Sequence, residues 1–341
     1  MRVVKLLKEN ETKLFDVLSK FGEVWAPVKK GDKFIYNKIN NGADILENPL
    51  RTILPVKKLL IPPDYIMLDF TKNRFSNANK NIPSKVIIGI HPCGINALNI
   101  LDKFYTADYK DTCYCHRRQQ LIIIGKSCIP DEYCFCNKTH TDIVEEGYDL
   151  FMTDLGDYYL IWIGSSKGDD IIREGSEIFS EDVPADVAAD FIEFRKEKKT
   201  SFKCDIDLEG VTDLMELTYN AEFWTELGEK CLSCGQCTMV CPTCTCFNTI
   251  DEIELNKPEG HRRRYWDSCM FKEYSLVAGG HNFREARSDR LKLWYTHKLK
   301  AFIGKFGSSS CVGCGRCIET CPVDINVYTV AAKIKGKEVV K

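Results

Sequence analysis

Two short runs carry the chemistry of this sequence: CLSCGQCTMVCP at 231–242 and CVGCGRCIETCP at 311–322. Both read C-x-x-C-x-x-C-x-x-x-C-P. Three thiolates on two-residue spacers can converge on three irons of a cubane while the backbone N–H groups between them face its sulfides. The fourth cysteine of such a run ligates the other cluster in two-cluster ferredoxins. The pattern therefore assigns Cys231, Cys234, Cys237 and Cys321 to one [4Fe–4S] cluster, and Cys311, Cys314, Cys317 and Cys241 to its neighbour. Pro242 and Pro322 redirect the chain after each crossing ligand. Swapped ligation holds two cubanes in a fixed relation, which suits one-electron hopping at potentials set by burial, hydrogen bonds to sulfur and net charge. Structural zinc competes poorly, because its signatures pair two C-x-x-C knuckles rather than two four-cysteine runs closed by proline.

These loops need a scaffold. Seventy positions separate Cys241 from Cys311, and a helical pattern with Trp224 and Leu227 on its apolar side runs from Val211 to Lys230. An α-helical two-cluster ferredoxin domain with a long insertion is expected over 200–341. Upstream, KVIIGI (85–90), QLIIIG (120–125), DLFMTDLG (149–156) and YYLIWIG (158–164) are short β-rich runs separated by loop or helical stretches. They predict an α/β N-terminal domain over 1–199. PADVAADFIEFRKEKK (184–199) has helical spacing and a cationic last turn, and leads out of that domain. The basic tail Lys333 to Lys341 is expected to fray.

A further set of cysteines falls at predicted strand ends. Cys93 follows KVIIGI and opens a helical stretch, where backbone amides and the dipole stabilise a thiolate. Cys128 follows QLIIIG, and loops after such strands gather on one sheet edge. Cys134 and Cys136 lie in the same loop, so a third [4Fe–4S] cluster on Cys93, Cys128, Cys134 and Cys136 is expected. Buried, inert thiols are the alternative.

Several longer strings resemble one family. CPTCTCF (241–247), YWDSCMF (265–271), VAGGHNFR (277–284) and SCVGCGRC (310–317) are similar to the beta subunit of archaeal and bacterial sulfhydrogenases, and equally to the first subunit of anaerobic sulfite reductase. HPCG (91–94), SCIPDEYCFC (127–136), RTILPVKKLLIPP (51–63) and the stretch 144–168 resemble that family's N-terminal domain. The resemblance covers nearly the whole chain. It implies a cytoplasmic subunit that passes electrons between a flavin-bearing, nicotinamide-using partner and a catalytic partner, a nickel–iron hydrogenase, a siroheme sulfite reductase or another terminal module. Two positions depart from the family pattern: Gly94 stands where Asp often follows the cysteine, and Cys113 and Cys115 replace aromatic and polar residues ahead of Arg117 and Arg118.

The other candidates have plainer readings. Cys244, Cys246 and Cys269 either pack beside the cubanes and tune them or hold another metal, and the isolated Cys204 is structural. HRRRYW (261–266), with Arg284, Arg287 and Arg290, has the basic and aromatic alternation of an RNA site. A formal net charge of −2 speaks against nucleic acid, leaving cluster compensation or partner docking. His281 and His297 read as ordinary polar helix residues. GSSKGDD (164–170) lacks Walker spacing and no G-x-G-x-x-G occurs, which leaves flavin and nicotinamide to another subunit. No apolar run approaches a membrane span, and the charged first residues do not form a secretory signal. With eighteen cysteines and no such signal, metal ligation is a better expectation than disulfides. No triad or paired-carboxylate site is present. Two other classes stay open: a self-contained sulfur-compound reductase with an open N-terminal cluster, and a cluster-based sensor.

Overall fold

Apolar runs with little alternation, such as KVIIGI and QLIIIG, form strands buried on both faces, as in sheets that lie between layers. The computed structural model describes residues 2–45, 47–78 and 81–337. In chain order its strands are β1 (Val3–Leu7), β2 (Glu23–Lys30), β3 (Lys33–Lys38), β4 (Asp64–Thr71), β5 (Arg74–Asn77), β6 (Lys85–Ile90), β7 (Leu121–Lys126), β8 (Leu150–Asp154), β9 (Tyr158–Ile163), β10 (Phe179–Ser180), β11 (Phe247–Ile253) and β12 (Glu259–Trp266). Contacts divide the chain into two units: Met1–Leu60 with Asn81–Lys203, and Ile61–Lys80 with Cys204–Lys341.

The first unit is built on one mixed sheet in the order β10-β1-β9-β8-β7-β6-β2-β3. Strands β2, β6, β7 and β8 run parallel, and the outer pairings are antiparallel. Its core includes Val86, Ile88, Ile122, Ile124, Met152 and Ile161, each buried aliphatic contributing about 1.5–3 kcal/mol. Because β6 and β7 are adjacent and parallel, their carboxyl ends open on the same edge. There β6 leads through His91 into the helix Pro92–Thr106, and β7 leads to Cys128. The expected cationic helix is present as Val187–Thr200.

The second unit is helical around the cysteine motifs, so the α/β then helical order expected from sequence holds. Its predicted helix over 211–230 is two helices, Val211–Leu217 and Phe223–Lys230, broken at 218–222. A second, four-stranded antiparallel sheet, β11-β12-β4-β5, also belongs to this unit. The hairpin β11–β12 is the inserted chain between the motifs. Hairpin β4–β5, from the segment 61–80 that the sequence reading assigned to the first domain, pairs with β12 along Asp64–Thr71. Of the tail expected to fray, Lys333 and Ile334 end the helix Val327–Ile334, and residues 338–341 lie outside the described residues.

Candidate metal centre

Two loops of the second unit fold alike. In the first, Ser233 and Gly235 take φ of 52° and 75°; at the corresponding positions of the second, Gly313 and Gly315 take 58° and 73°. Left-handed residues at these positions turn successive N–H groups toward one side, forming a concavity for anionic sulfur. Ser233 N donates to Cys231 Sγ at 3.4 Å, Ile325 N donates to Cys321 Sγ at 3.2 Å, and Gly313 N donates to the Cys311 sulfur. Each loop runs into a short helix, Gln236–Met239 or Arg316–Thr320, and these two helices pack on each other.

The thiols influence one another in a crossed pattern. Burial first, then the charges of Cys231, Cys241, Cys234 and Cys321, push the Cys237 thiol far up. Burial, then Cys311, Cys314, Cys241 and Cys237, do the same to Cys317. Cys231, raised mainly by burial, feels Cys234 and Cys321. Cys311, pushed up to about 12 mainly by burial, feels Cys314 and Cys241. Cys321 thus acts on Cys231 and Cys237 of the first loop, while Cys241 acts on Cys311 and Cys317 of the second as well as on Cys237 of its own. Among the described residues no three Cys, His, Asp or Glu side chains close around a single ion.

Beside Cys241 and Cys311 lies a cation that sequence reasoning missed. Lys298 is 1 % exposed. Burial disfavours its charge, but the Cys241, Cys244 and Cys311 thiols and a hydrogen bond to Cys244 outweigh that and hold it as an ammonium. Its Nζ donates to Thr243 Oγ1 at 2.9 Å, and Thr243 Oγ1 donates to the Ser310 carbonyl at 2.6 Å while lying 3.4 Å from Cys241 Sγ. His297–Ala301 is a π-helical turn. A π turn displaces the regular helix ladder, and here the Lys298 carbonyl accepts from Ser310 N at 3.1 Å and Cys311 N at 3.2 Å. The available signal was spacing: Lys298 follows Trp294 by four and Tyr295 by three, on the buried side of that helix. Tyr295 is itself buried next to Cys317, Cys237, Cys321 and Cys231. His297 is not the ordinary polar residue expected, since burial and then Lys298 lower its imidazole to about 4.

In the first unit the strand-end cysteines meet a different environment. Cys136, raised mainly by burial, feels the charges of Cys128 and Cys134, so these three thiols come together. Cys93 stands in the first turn of the helix Pro92–Thr106, two residues after His91. Buried His91 has Lys126 O 3.0 Å from Nδ1 and Pro49 O 3.1 Å from Nε2. Two carbonyl acceptors call for two N–H donors, which favours imidazolium. Burial opposes that charge, yet Cys128 and these carbonyls prevail and the His91 pKa is raised. For Cys128, burial raises the thiol, but His91, Lys198 and Arg51 outweigh it and the net shift is downward. Arg51 Nη2 donates to Cys134 Sγ at 3.2 Å and to Asp131 at 2.6 Å. Burial pushes Cys134 up to about 12. Cys115, buried in the helix Thr112–Gln119, has Lys110, Asp111 and Asp102 as its charged neighbours, not the other cysteines.

Residues 230–325 match the 4Fe-4S dicluster domain family, which implies two [4Fe–4S] clusters. The chain is also 37% identical, over 98% of its own length and 99% of the relative's, to "Sulfhydrogenase 2 subunit beta" of Pyrococcus furiosus. The chain belongs to the sulfhydrogenase beta-subunit family. In this family member the arginines are engaged within the second unit. Arg262 pairs with Asp251 at 2.7 Å, Arg263 pairs with Asp64 and with Glu252 at 3.2 Å, and Arg264 is buried with its guanidinium 3.6 Å from the Phe247 ring centroid. Arg287 donates to the Cys231 carbonyl at 2.7 Å. Buried Arg290 donates to Met270 O, Arg284 O and Glu285 O and reaches Ser233 Oγ at 3.2 Å. These groups brace the sheet and the first loop rather than form a basic face. Among the remaining thiols, hydrogen bonds from Cys269 and Tyr274 draw Cys246 below the usual thiol range. Among the described residues no helix is long and apolar enough to cross a membrane.

Proposed function

We propose that this chain is the cytoplasmic iron–sulfur electron-transfer subunit of a multisubunit oxidoreductase, relaying electrons between a flavin- and nicotinamide-binding partner and a catalytic partner of the hydrogenase or sulfite reductase kind. The observation that carries the reading is the crossed proximity of the two loops. It supports ligation of one [4Fe–4S] cluster by Cys231, Cys234, Cys237 and Cys321, and of the other by Cys311, Cys314, Cys317 and Cys241. When bound, such clusters supply one-electron redox chemistry. The protein's own part is to hold eight sulfurs as thiolates, with loop N–H groups and Lys298 offsetting their charge. Cys234 and Leu232 are exposed, giving the first loop an edge open to a partner.

A third [4Fe–4S] cluster on Cys93, Cys128, Cys134 and Cys136 belongs to the same reading, supported by the convergence of the last three in the loop after β7, next to the end of β6 that Cys93 follows. The relative's name adds the kind of complex: a sulfhydrogenase. The test is anaerobic turnover with a low-potential artificial donor. A carrier reduces no small sulfur compound alone and supports reduction only when its partner subunits are added. Turnover by the isolated chain overturns the carrier reading in favour of a self-contained reductase.

A further inference from the structure

The first unit has an open-mouthed cavity of about 360 Å³, within the range of small-molecule sites, and it reaches Pro92 and Ser127 beside Cys93 and Cys128. It lies between strands β8 and β9 and the helix Val187–Thr200, and its walls are aromatic: Tyr148, Phe151, Trp162, Phe191 and Phe194. The Trp162 and Phe191 rings lean together at 5.5 Å and 58°, and Tyr148 and Phe151 at 5.5 Å and 56°. A core helix normally packs its apolar stripe directly onto the sheet. Here Phe191 and Phe194 stay half-buried, and the space between helix and sheet is left to flat surfaces that favour a planar guest.

The polar groups of the cavity decide its charge preference. Lys198, 5 % exposed, donates to the Asp142 carbonyl at 2.6 Å and also faces the Cys128 and Cys136 thiols, so its charge is partly committed. Arg195 is different. Its guanidinium lies 5.8 Å from the Phe191 ring centroid, and it has no carboxylate partner among the described residues. A guanidinium stacked on a ring keeps its N–H edge for a carboxylate, sulfonate or phosphate. The acids of the lining, Asp142 and Glu145, are half-buried and exposed respectively, so Glu145 is the more hydrated and screened of the two.

We propose that this cavity binds a planar aromatic anion, its fused rings against Trp162, Phe151 and Phe191 and its acidic group on Arg195. The proposal goes beyond electron relay. The test is isothermal titration calorimetry of the full chain, prepared anaerobically, with naphthalene-2-sulfonate and with its neutral counterpart naphthalene-2-sulfonamide. One saturable site per chain is expected, with the sulfonate bound about tenfold more tightly. Arg195→Gln should erase that tenfold preference and leave the sulfonamide unchanged. Ile143→Trp, enlarging an exposed wall residue, should weaken both ligands. Absence of saturable binding, equal affinity for the two ligands in the native chain, or an Arg195→Gln preference equal to native would overturn the proposal. So would an Ile143→Trp chain that binds both ligands as tightly as native.

Discussion

Cys311 sits among Cys314 and Cys241, with Lys298 as the cation among its main charged neighbours, whereas Cys128 sits among His91, Lys198 and Arg51. The contrast lies at Cys128, which side-chain cations draw down, whereas burial raises Cys134 and Cys136 beside it just as it raises thiols of the second unit. In the second unit, eight sulfurs crowd together with backbone N–H groups and one buried lysine, and burial plus mutual repulsion raises Cys231, Cys237, Cys311 and Cys317. Such a set gains greatly from a bound group carrying many positive charges, because ligand binding and folding are then one equilibrium. In the first unit, side-chain cations already offset part of the thiolate charge, and a hydrophobic sheet supports the loops whether or not a cluster is bound. The contrast leads to an expectation that the second unit relies on its metal for stability more than the first.

The largest expected effect tests that dependence. Stripping iron with a chelator should leave the first unit protease-resistant and expose the second to rapid cleavage, read by limited proteolysis and mass spectrometry; equal resistance of both units would erase the contrast. Cys321→Ala should remove about four irons per chain by deleting a ligand of the first loop, although position 321 belongs to the second motif; iron analysis measures it. Cys134→Ala should likewise remove about four irons with little loss of folded structure. Unchanged iron content would strike out the third cluster while leaving the pair intact.

Smaller effects sharpen the picture. Lys298→Met removes one buried charge beside Cys241 and Cys311. At an effective dielectric constant near 20 and several ångströms, that moves one cluster potential roughly 50–100 mV more negative, because a cation favours the reduced form. Lys298→Arg should retain most of the native value, and a redox titration followed by electron paramagnetic resonance distinguishes them. Smallest is Gly313→Ser, which puts a Cβ at φ 58° without the Arg290 contact that Ser233 has in the first loop. It should cost about 1 kcal/mol, a drop of about 3 °C in melting temperature.

The twin loops were legible because ligand spacing is local: three cysteines within seven residues fix their own geometry. Strands β6 to β9 were legible for a similar reason, since each is a short apolar run bounded by turn residues. What escaped were features decided by distant pairing. Hairpin β4–β5 finds its partner β12 nearly two hundred positions later, and no pattern within 61–80 announces that. HRRRYW looked like a basic patch because its acids, Asp64, Asp251 and Glu252, lie on neighbouring strands. Lys298 and Lys198 each sit on the buried side of a helix, a position where periodicity expects an apolar residue. A charge there marks a buried anion, which the sequence held as scattered cysteines.

The most direct test of the central claim is electron paramagnetic resonance of the anaerobically prepared, fully reduced protein. Two cubanes whose cysteine loops exchange their fourth ligands lie close enough for their spins to couple, so the spectrum should show broadened, split features that are lost in Cys321→Ala, leaving only uncoupled cluster signals. A native spectrum made of uncoupled signals, or no reducible iron–sulfur signal with zinc at those eight sulfurs, would contradict it.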